Sequence, residues 1–343
     1  MTEQDRIKIH RSDLNIVLNA IAKTEDEITV SHLSDKIGDL YTFEIGHPHN
    51  STIRFEKTAD EYGEARSTIM GKQAQSEVPE QSSYVRSFTT SVLDFANKSD
   101  LDNFISRYAG RDPSEGHRPV YGILDSNIIR WQLADSLGIE PNNTGLQGSL
   151  LVTGVRDELH RYGGPEKIKN PSELVDELHP NYERLFNQFK GQPREQRLGL
   201  EYYQHLDNQI YSEEITSEQG DASILEKCEE FKNNSGYDLL FFTNDRNAKE
   251  MAHEKNILGH LVEFSDSLPE ETSASWGDFG LLLYVHAMLF GIIRLPKVDL
   301  YGVWQSGDDD TTGYLLVDCR SRNIKQRIRR DIAVLDTWSN VNG

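Results

Sequence analysis

The stretch at residues 120–127 reads VYGILDSN, and it decides how the middle of the chain is interpreted. Apolar residues lead up to Asp125, and Ser126 and Asn127 follow it. A short apolar run that ends in polar residues predicts a buried strand. Open α/β sheets bind their ligands at the carboxyl ends of the strands, where Asp125 would lie. Because an unpaired buried charge is costly, we expect Asp125 to share a site with other groups.

The composition limits the classes of protein to consider. The chain has 343 residues, of which 36% are hydrophobic, and this length allows about two or three domains. The formal net charge of −20 argues against a protein that coats nucleic acid. Two cysteines, Cys228 and Cys319, provide no disulfide framework, so we expect a reducing, cytoplasmic setting. The longest apolar run, 279–295, is short for a membrane span and predicts a buried helix, with no membrane partner.

The first predicted domain, residues 1–117, is an N-terminal α+β region of unknown role. Residues 13–22 have helical spacing, and 28–38 predict a strand or turn followed by a helix. An ordinary helical hairpin and a small winged-helix unit both fit this order. Residues 41–55 alternate as in a β-hairpin, and the polar stretch 63–83 predicts an exposed loop. A cluster of turn-forming residues marks the end of the region.

The second predicted domain, residues 118–268, alternates strands with helices. Strands are expected at 120–124, 150–155, 237–243 and 257–264, and helices at 128–137, 153–162, 221–231 and 244–255. Residues 191–218 predict a helix followed by a loop. Strands that alternate with helices indicate a parallel sheet with helices on its faces. We therefore predict an α/β fold whose parallel sheet is flanked by helices.

The third predicted domain, residues 269–343, is a C-terminal extension with the apolar helix, a β-hairpin and a basic tail. The tail concentrates positive charge in an acidic chain, with Arg320, Arg322, Lys325, Arg327, Arg329 and Arg330. Two interpretations are open. The cluster contacts RNA phosphates, or it pairs with the acidic surface of its own fold or of a second subunit. The candidate RNA contacts are Arg322, Lys325, Arg327, Arg329 and Arg330.

Four carboxylates occupy comparable places in the strand–helix series: Asp125, Glu158, Asp221 and Asp245. Strand ends and the helix starts that follow them share one edge of a parallel sheet, so these side chains are expected to converge. Like charges at short range raise each other's pKa, and a hard divalent cation such as Mg²⁺ or Mn²⁺ relieves the repulsion. Such metals activate water for attack on a phosphodiester. Singly, each residue also fits an ordinary role as a strand-end turn, a helix cap or a solvated helix position.

The segment from about residue 120 to 264 resembles PIN-domain nucleases. GILDSNII is similar to their opening strand with its first metal-binding Asp, and GVRDEL to the helix that carries their Glu. GDASILEKC is similar to their helix-opening Asp, and LLFFTNDRNAKEMA to their strand followed by Thr-x-Asp. The TNDRN form is most similar to the PIN domains of eukaryotic RNA-surveillance endonucleases. The resemblance implies catalytic metal ligands at Asp125, Glu158, Asp221 and Asp245, and site-shaping residues at Asn127, Thr243 and Asn244.

The function that this resemblance implies is metal-dependent endonucleolytic cleavage of single-stranded RNA by a water bound to Mg²⁺ or Mn²⁺. One departure from the family is the long interval between Glu158 and Asp221, which implies an insertion; Asp157 is an alternative to Glu158. Other functions stay open: a catalytically silent PIN-fold scaffold or RNA-binding module, a toxin-like nuclease restrained by a partner, and a nuclease that cuts DNA. A protein partner or a homo-oligomer is compatible with all of them.

Overall fold

A computed structural model describes residues 6–47, 49–109, 111, 113–134, 136–137, 139, 146–161, 171–185, 191–209, 211–303 and 313–342. The strands within these residues are β1 (Ile7–His10), β2 (Glu27–His32), β3 (Asp39–His47), β4 (Asn50–Phe55), β5 (Val120–Leu124), β6 (Gly148–Val152), β7 (Ser212–Ile215), β8 (Asp238–Thr243), β9 (Leu258–Leu261), β10 (Glu271–Ala274), β11 (Ile292–Leu295), β12 (Val298–Tyr301) and β13 (Tyr314–Cys319). The α-helices are α1 (Leu14–Ala22), α2 (Ala59–Ser67), α3 (Lys72–Glu77), α4 (Gln81–Phe88), α5 (Lys98–Ser106), α6 (Ser126–Ile129), α7 (Thr153–Arg161), α8 (Pro171–Glu177), α9 (Gly191–Asp207), α10 (Asp221–Ser235), α11 (Arg246–Glu254), α12 (Trp276–Phe290) and α13 (Arg322–Asn342).

Two compact units divide the chain. The first unit comprises Met1–Leu93, Pro165–Gln192 and Asp266–Gly343, and the second comprises Asp94–Gly164 and Pro193–Ser265. This division differs from the expected consecutive segments 1–117, 118–268 and 269–343. Both ends of the chain belong to the first unit, and the second unit is interrupted by a segment that belongs to the first.

The first unit contains a sheet that joins the beginning and the end of the chain. Among the described residues its strand order is β1-β13-β12-β11-β2-β3-β4-β10, with antiparallel pairing throughout. Ile7 pairs with Val317 and Ile9 with Leu315, and all four side chains are buried. The N-terminal region and the C-terminal extension therefore share one core, because the first strand buries its apolar face beside strands from the end of the chain.

Helix α12 accounts for most of the apolar run at 279–295. Ser275 and Asp278 form a capping box at its start, and the helix is buried on nearly all sides. It ends at Phe290, where Gly291 adopts a φ of 75°, and the chain continues as strand β11. The expected buried helix is confirmed, but the last part of the run is a strand. Within the described residues, no helix is long and apolar enough to cross a membrane.

Two sequence-based expectations for the first unit are wrong. Residues 28–38 contain strand β2 and a turn, and they hold no helix, so neither a helical hairpin nor a winged helix is present there. The alternating burial along β2 has the period of a strand. Residues 63–83 lie in and between helices α2, α3 and α4, where Ala74 and Val78 are buried. Ala74 and Val78 pack against neighbouring segments, whereas Met70 is exposed.

The second unit contains a parallel sheet with the described strand order β7-β6-β5-β8-β9. The α/β class and the parallel sheet flanked by helices are confirmed. The first strand of this sheet, β5, lies at its centre, between β6 and β8, so the direction of strand addition reverses beside β5. Such a switch point opens a crevice at the carboxyl ends of the strands. Asp125 follows β5, and Asp245 lies two residues beyond the end of the neighbouring β8.

Two element assignments in the second unit differ from expectation. Strand β7 (SEEI) falls where a loop was expected, because a polar edge strand has no apolar run to mark it. The expected helix at 128–137 is reduced to α6, which ends at Ile129. Gln132 has a φ of 57°, a left-handed conformation that an α-helix cannot accommodate, so the following apolar residues pack from turns.

Part of the interval between Glu158 and Asp221 belongs to the first unit. Leu174 on α8 and Tyr182 beyond it are fully buried there. Glu173 accepts hydrogen bonds from the N–H groups of Gln73 and Ala74, at 2.9 and 3.0 Å, at the start of α3. The segment that carries α8 therefore contributes to the core of the first unit.

Candidate acidic site

Asp125 is the most buried of the four candidate carboxylates. Its residue is 6% exposed, because β5 lies at the centre of the sheet. Thr243 donates a hydrogen bond to its Oδ2 at 2.7 Å, and the Ser126 hydroxyl donates to its Oδ1 at 3.3 Å. Burial raises the pKa of Asp125, and the hydrogen bonds from Thr243 and Ser126 oppose that rise. None of the described groups that shift this pKa is a cation. Asp125 is a buried acid with neutral partners.

Thr243 connects Asp125 with Asp245. The register of β5 and β8 pairs Leu124 with Phe242, so Asp125 and Thr243 follow side by side. The Thr243 side chain is fully buried, and its Oγ1 both donates to Asp125 and accepts the N–H of Asp245 at 2.9 Å. A single hydroxyl thus holds the first carboxylate and the backbone of the last one.

Asp245 is exposed and caps helix α11. Its Oδ1 accepts the N–H of Asn247 at 2.7 Å, a standard N-cap contact. The neighbouring Asn244 donates from Nδ2 to the carbonyl of Val262 at 3.0 Å, so it ties the end of β8 to the segment after β9. Asn127 is only a weak partner of Asp125, since its Nδ2 lies 3.5 Å from Oδ2.

Asp221 and Glu158 complete the cluster from two helices. Asp221 is the first residue of α10 and is half-buried, and Glu158 on α7 accepts the N–H of Gly220 at 3.0 Å. Burial raises the pKa of Asp221 to about 6, and the charges of the other three carboxylates add to that rise: Asp125, Glu158 and Asp245. The structure therefore brings all four predicted residues into one electrostatic field. Asp157 is not among the sources of that field, and it lies 3.7 Å from the Arg156 guanidinium.

The chemistry of these donors fits a hard divalent cation, because Mg²⁺ and Mn²⁺ prefer carboxylate oxygens. Among the described residues, however, no three or more histidine, cysteine, aspartate or glutamate side chains form a group that could hold a metal ion. Three of the four carboxylates accept hydrogen bonds from groups outside the cluster of acids: Asp125 from Thr243, Asp245 from Asn247 and Glu158 from Gly220. The charges of the other three carboxylates act on Asp221, but among the described residues the four side chains do not surround a common position for a metal ion.

Two residues of this site were missed by the sequence analysis, Thr153 and Gly220. Thr153 is 7% exposed, and its Oγ1 contacts the backbone of Ser217, while Gly220 has a φ of 96° directly before Asp221. A glycine immediately before a helix-opening aspartate was the available signal for the second of them. Nothing local in the sequence marks the first, because its partner is 64 residues away.

The basic tail, apart from Arg320, lies in the first half of helix α13 in the first unit. Arg327 donates to the carbonyl of Ala20 at 3.3 Å, and Arg330 pairs with the adjacent Asp331 at 2.7 Å. Of these two contacts only that of Arg330 is with an acidic group, and it is the adjacent residue, so pairing of these two side chains with an acidic surface stays a prediction. Contact with RNA stays a prediction for the whole candidate set: Arg322, Lys325, Arg327, Arg329 and Arg330.

No protein-family model matches the chain, and no curated protein matches it. The resemblance to PIN-domain nucleases therefore stays a prediction that depends on the order and chemistry of the motifs. The cytoplasmic setting, a protein partner and a homo-oligomer also stay predictions.

Proposed function

We propose that the chain is a metal-dependent endonuclease with a PIN-like second unit, and that it hydrolyses phosphodiester bonds of single-stranded RNA. The observation that carries the proposal is the shared field at Asp221, whose pKa is raised to about 6 by burial and by three other carboxylates. So much negative charge at the switch point of a parallel sheet calls for a counter-cation. The choice of RNA over DNA depends on the resemblance of the TNDRN segment.

The carboxylates of Asp125, Asp221 and Asp245 would hold Mg²⁺ or Mn²⁺, with Glu158 as the fourth acidic group of the cluster. The metal, when bound, supplies an activated water and stabilises the charge that develops on the phosphate. Thr243 keeps one oxygen of Asp125 in a fixed direction through its 2.7 Å hydrogen bond. The burial of Asp125 gives it little access to water, which strengthens its attraction for a cation.

The test is a cleavage assay on labelled single-stranded RNA and single-stranded DNA of the same sequence, with and without Mn²⁺. We expect Mn²⁺-dependent cleavage of RNA that falls at least about 100-fold in Asp125→Asn and in Asp245→Asn, because each loses a charged ligand. Asp157→Asn is the matched control, because Asp157 is adjacent to Glu158 in the sequence but is not among the carboxylates that raise the pKa of Asp221. RNA cleavage that survives in both ligand variants would exclude this site as the catalytic centre.

A second candidate function is a catalytically silent scaffold or RNA-binding module. It is favoured by one observation, namely that the described carboxylates do not form an assembled metal-binding group. Calorimetric titration with Mn²⁺ separates the two functions. Saturable binding that is lost in Asp125→Asn supports the nuclease, and the lack of any saturable binding supports the scaffold.

A further inference from the structure

Helix α7 and the segment that leads into Asp221 are joined at three points. At the first point, Thr153 Oγ1 accepts the N–H of Ser217 at 3.0 Å and donates to the carbonyl of Ser217 at 3.2 Å. A side chain that satisfies both backbone groups of one residue fixes the path of that segment. The joint brings the beginning of α7 and the approach to α10 together across 64 residues of sequence.

The second point is a close approach at Gly154, one residue further along α7. A Cβ atom at this position would lie 2.3 Å from the carbonyl oxygen of Glu218 and 2.4 Å from the Ser217 hydroxyl. Such distances are far shorter than van der Waals contact, so only glycine allows the segment to lie this close to the helix.

The third point is the hydrogen bond from the Gly220 N–H to Glu158 Oε1, at 3.0 Å and one helical turn beyond Gly154. Gly220 has a φ of 96°, which favours glycine even though its missing side chain faces open space. Its carbonyl accepts the N–H of Ile224 at the start of α10. Both polar groups of the Gly220 backbone are thus engaged, and the next residue is Asp221.

We infer that Glu158 is a positioning residue: its carboxylate holds the Gly220 amide and thereby sets the place of Asp221, and it is not itself a metal ligand. The inference deepens the proposed function and rests on it for the role of Asp221. The Gly220 amide engages only Oε1 of Glu158, so a ligand role would have to use the remaining acceptor sites of the carboxylate while this contact is kept. Losing the contact would free the segment that carries Asp221, and this is the effect that distinguishes positioning from ligation.

Two substitutions separate positioning from ligation. Glu158→Gln keeps a carbonyl oxygen that can accept the Gly220 N–H, but its amide is a poor ligand for Mn²⁺. Glu158→Ala removes the acceptor, and alanine is favourable in a helix, so the fold is retained. We expect calorimetric Mn²⁺ affinity to change less than about threefold in Glu158→Gln and to fall about 10- to 100-fold in Glu158→Ala, as for residues that support ligands. Equal losses in both variants, comparable with Asp221→Asn, would overturn the inference.

A second measurement needs neither metal nor activity. In the metal-free protein, we expect the Gly220 amide to be protected from hydrogen exchange in the wild type and in Glu158→Gln. We expect its protection to be lost in Glu158→Ala, and Asp157→Asn serves as the control with unchanged protection. An unchanged Gly220 amide in Glu158→Ala contradicts the positioning role even if the nuclease proposal holds. Loss of protection without any Mn²⁺ binding by the wild type contradicts the nuclease proposal and leaves the contact itself established.

Discussion

Asp299 in the first unit, which contains the antiparallel sheet, and Asp125 in the second unit, which contains the parallel sheet, are both buried; the two residues are 3% and 6% exposed. Asp299 is surrounded by cations: Arg294 binds it with two nitrogens, at 2.9 and 3.2 Å, and Arg320 binds it as well. Asp125 receives hydrogen bonds from hydroxyl and amide groups, and the charges of its cluster are negative. The first carboxylate is paired with arginines of its own fold, whereas no cation is among the described groups that shift the pKa of the second.

The two aspartates represent two kinds of buried carboxylate, one paired with cations and one held only by neutral donors. A buried ion pair adds little to stability while it is intact, but removing one of its partners destabilises the fold. A buried charge with neutral donors lowers stability when ionised, and perturbed carboxylates of this kind are common at functional sites. Buried His286 in the first unit likewise has partners within the fold: its two ring nitrogens contact the hydroxyls of Ser87 and Tyr41 at 2.6 and 3.0 Å. Burial lowers the pKa of His286 to about 3, so it stays neutral in the core.

The largest expected effect on stability is at Asp299. Asp299→Ala would remove the buried partner of Arg294 and Arg320, whose side chains are 33% and 40% exposed and can turn to water. We therefore expect the free energy of unfolding to fall by about 2–4 kcal/mol. Denaturant titration measures the change. Asp336→Ala on the exposed part of α13 is the control, with an expected change within about 0.5 kcal/mol. A small change in the free energy of unfolding at Asp299 would mean that its pairing with the two arginines does not stabilise the fold.

The next effect is at Thr243, the hydroxyl between the two acids. Thr243→Val keeps the shape but leaves a buried oxygen of Asp125 and the Asp245 amide without their partner, so we expect unfolding to become about 1–3 kcal/mol easier at neutral pH. Thr42→Val is the matched control, because the buried Thr42 hydroxyl contacts another hydroxyl, that of Thr29, at 3.0 Å. Its loss is expected to be about 1 kcal/mol. Equal losses would show that Thr243 does not support a buried charge.

The smallest effect has a distinctive dependence on pH. The pKa of Asp221 is about 6 in the fold, above the ordinary 3.8. Between these two values the folded protein binds more protons than the unfolded chain, so this group's contribution to stability increases as pH falls. Asp221→Asn should therefore melt at a higher temperature than the wild type at pH 7, and the difference should vanish below about pH 3, where Asp221 is protonated in both states. Thermal melts across this range test it, with Asp157→Asn as control.

Local patterns in the sequence were sufficient to predict the central strands of the parallel sheet. The apolar run before Asp125 and the run LLFF in β8 were long enough to mark central strands, and both strands are buried. The alternation of strands and helices was enough to predict a parallel sheet. Where the pattern was weak, the prediction was wrong: β7 is polar, and α3 is held in part by Glu173 from a distant segment.

By itself, the sequence determined the α/β character of the second unit and the four acidic positions, because periodicity and the residue types at strand ends are properties of short segments. The tertiary structure decided which segments share a core. In the folded chain β1 pairs with β13, α8 packs in the first unit, and the Gly220 N–H donates a hydrogen bond to Glu158. The physical reason is that burial and hydrogen bonding are satisfied between chain segments far apart in sequence, and no local pattern encodes which partner is found.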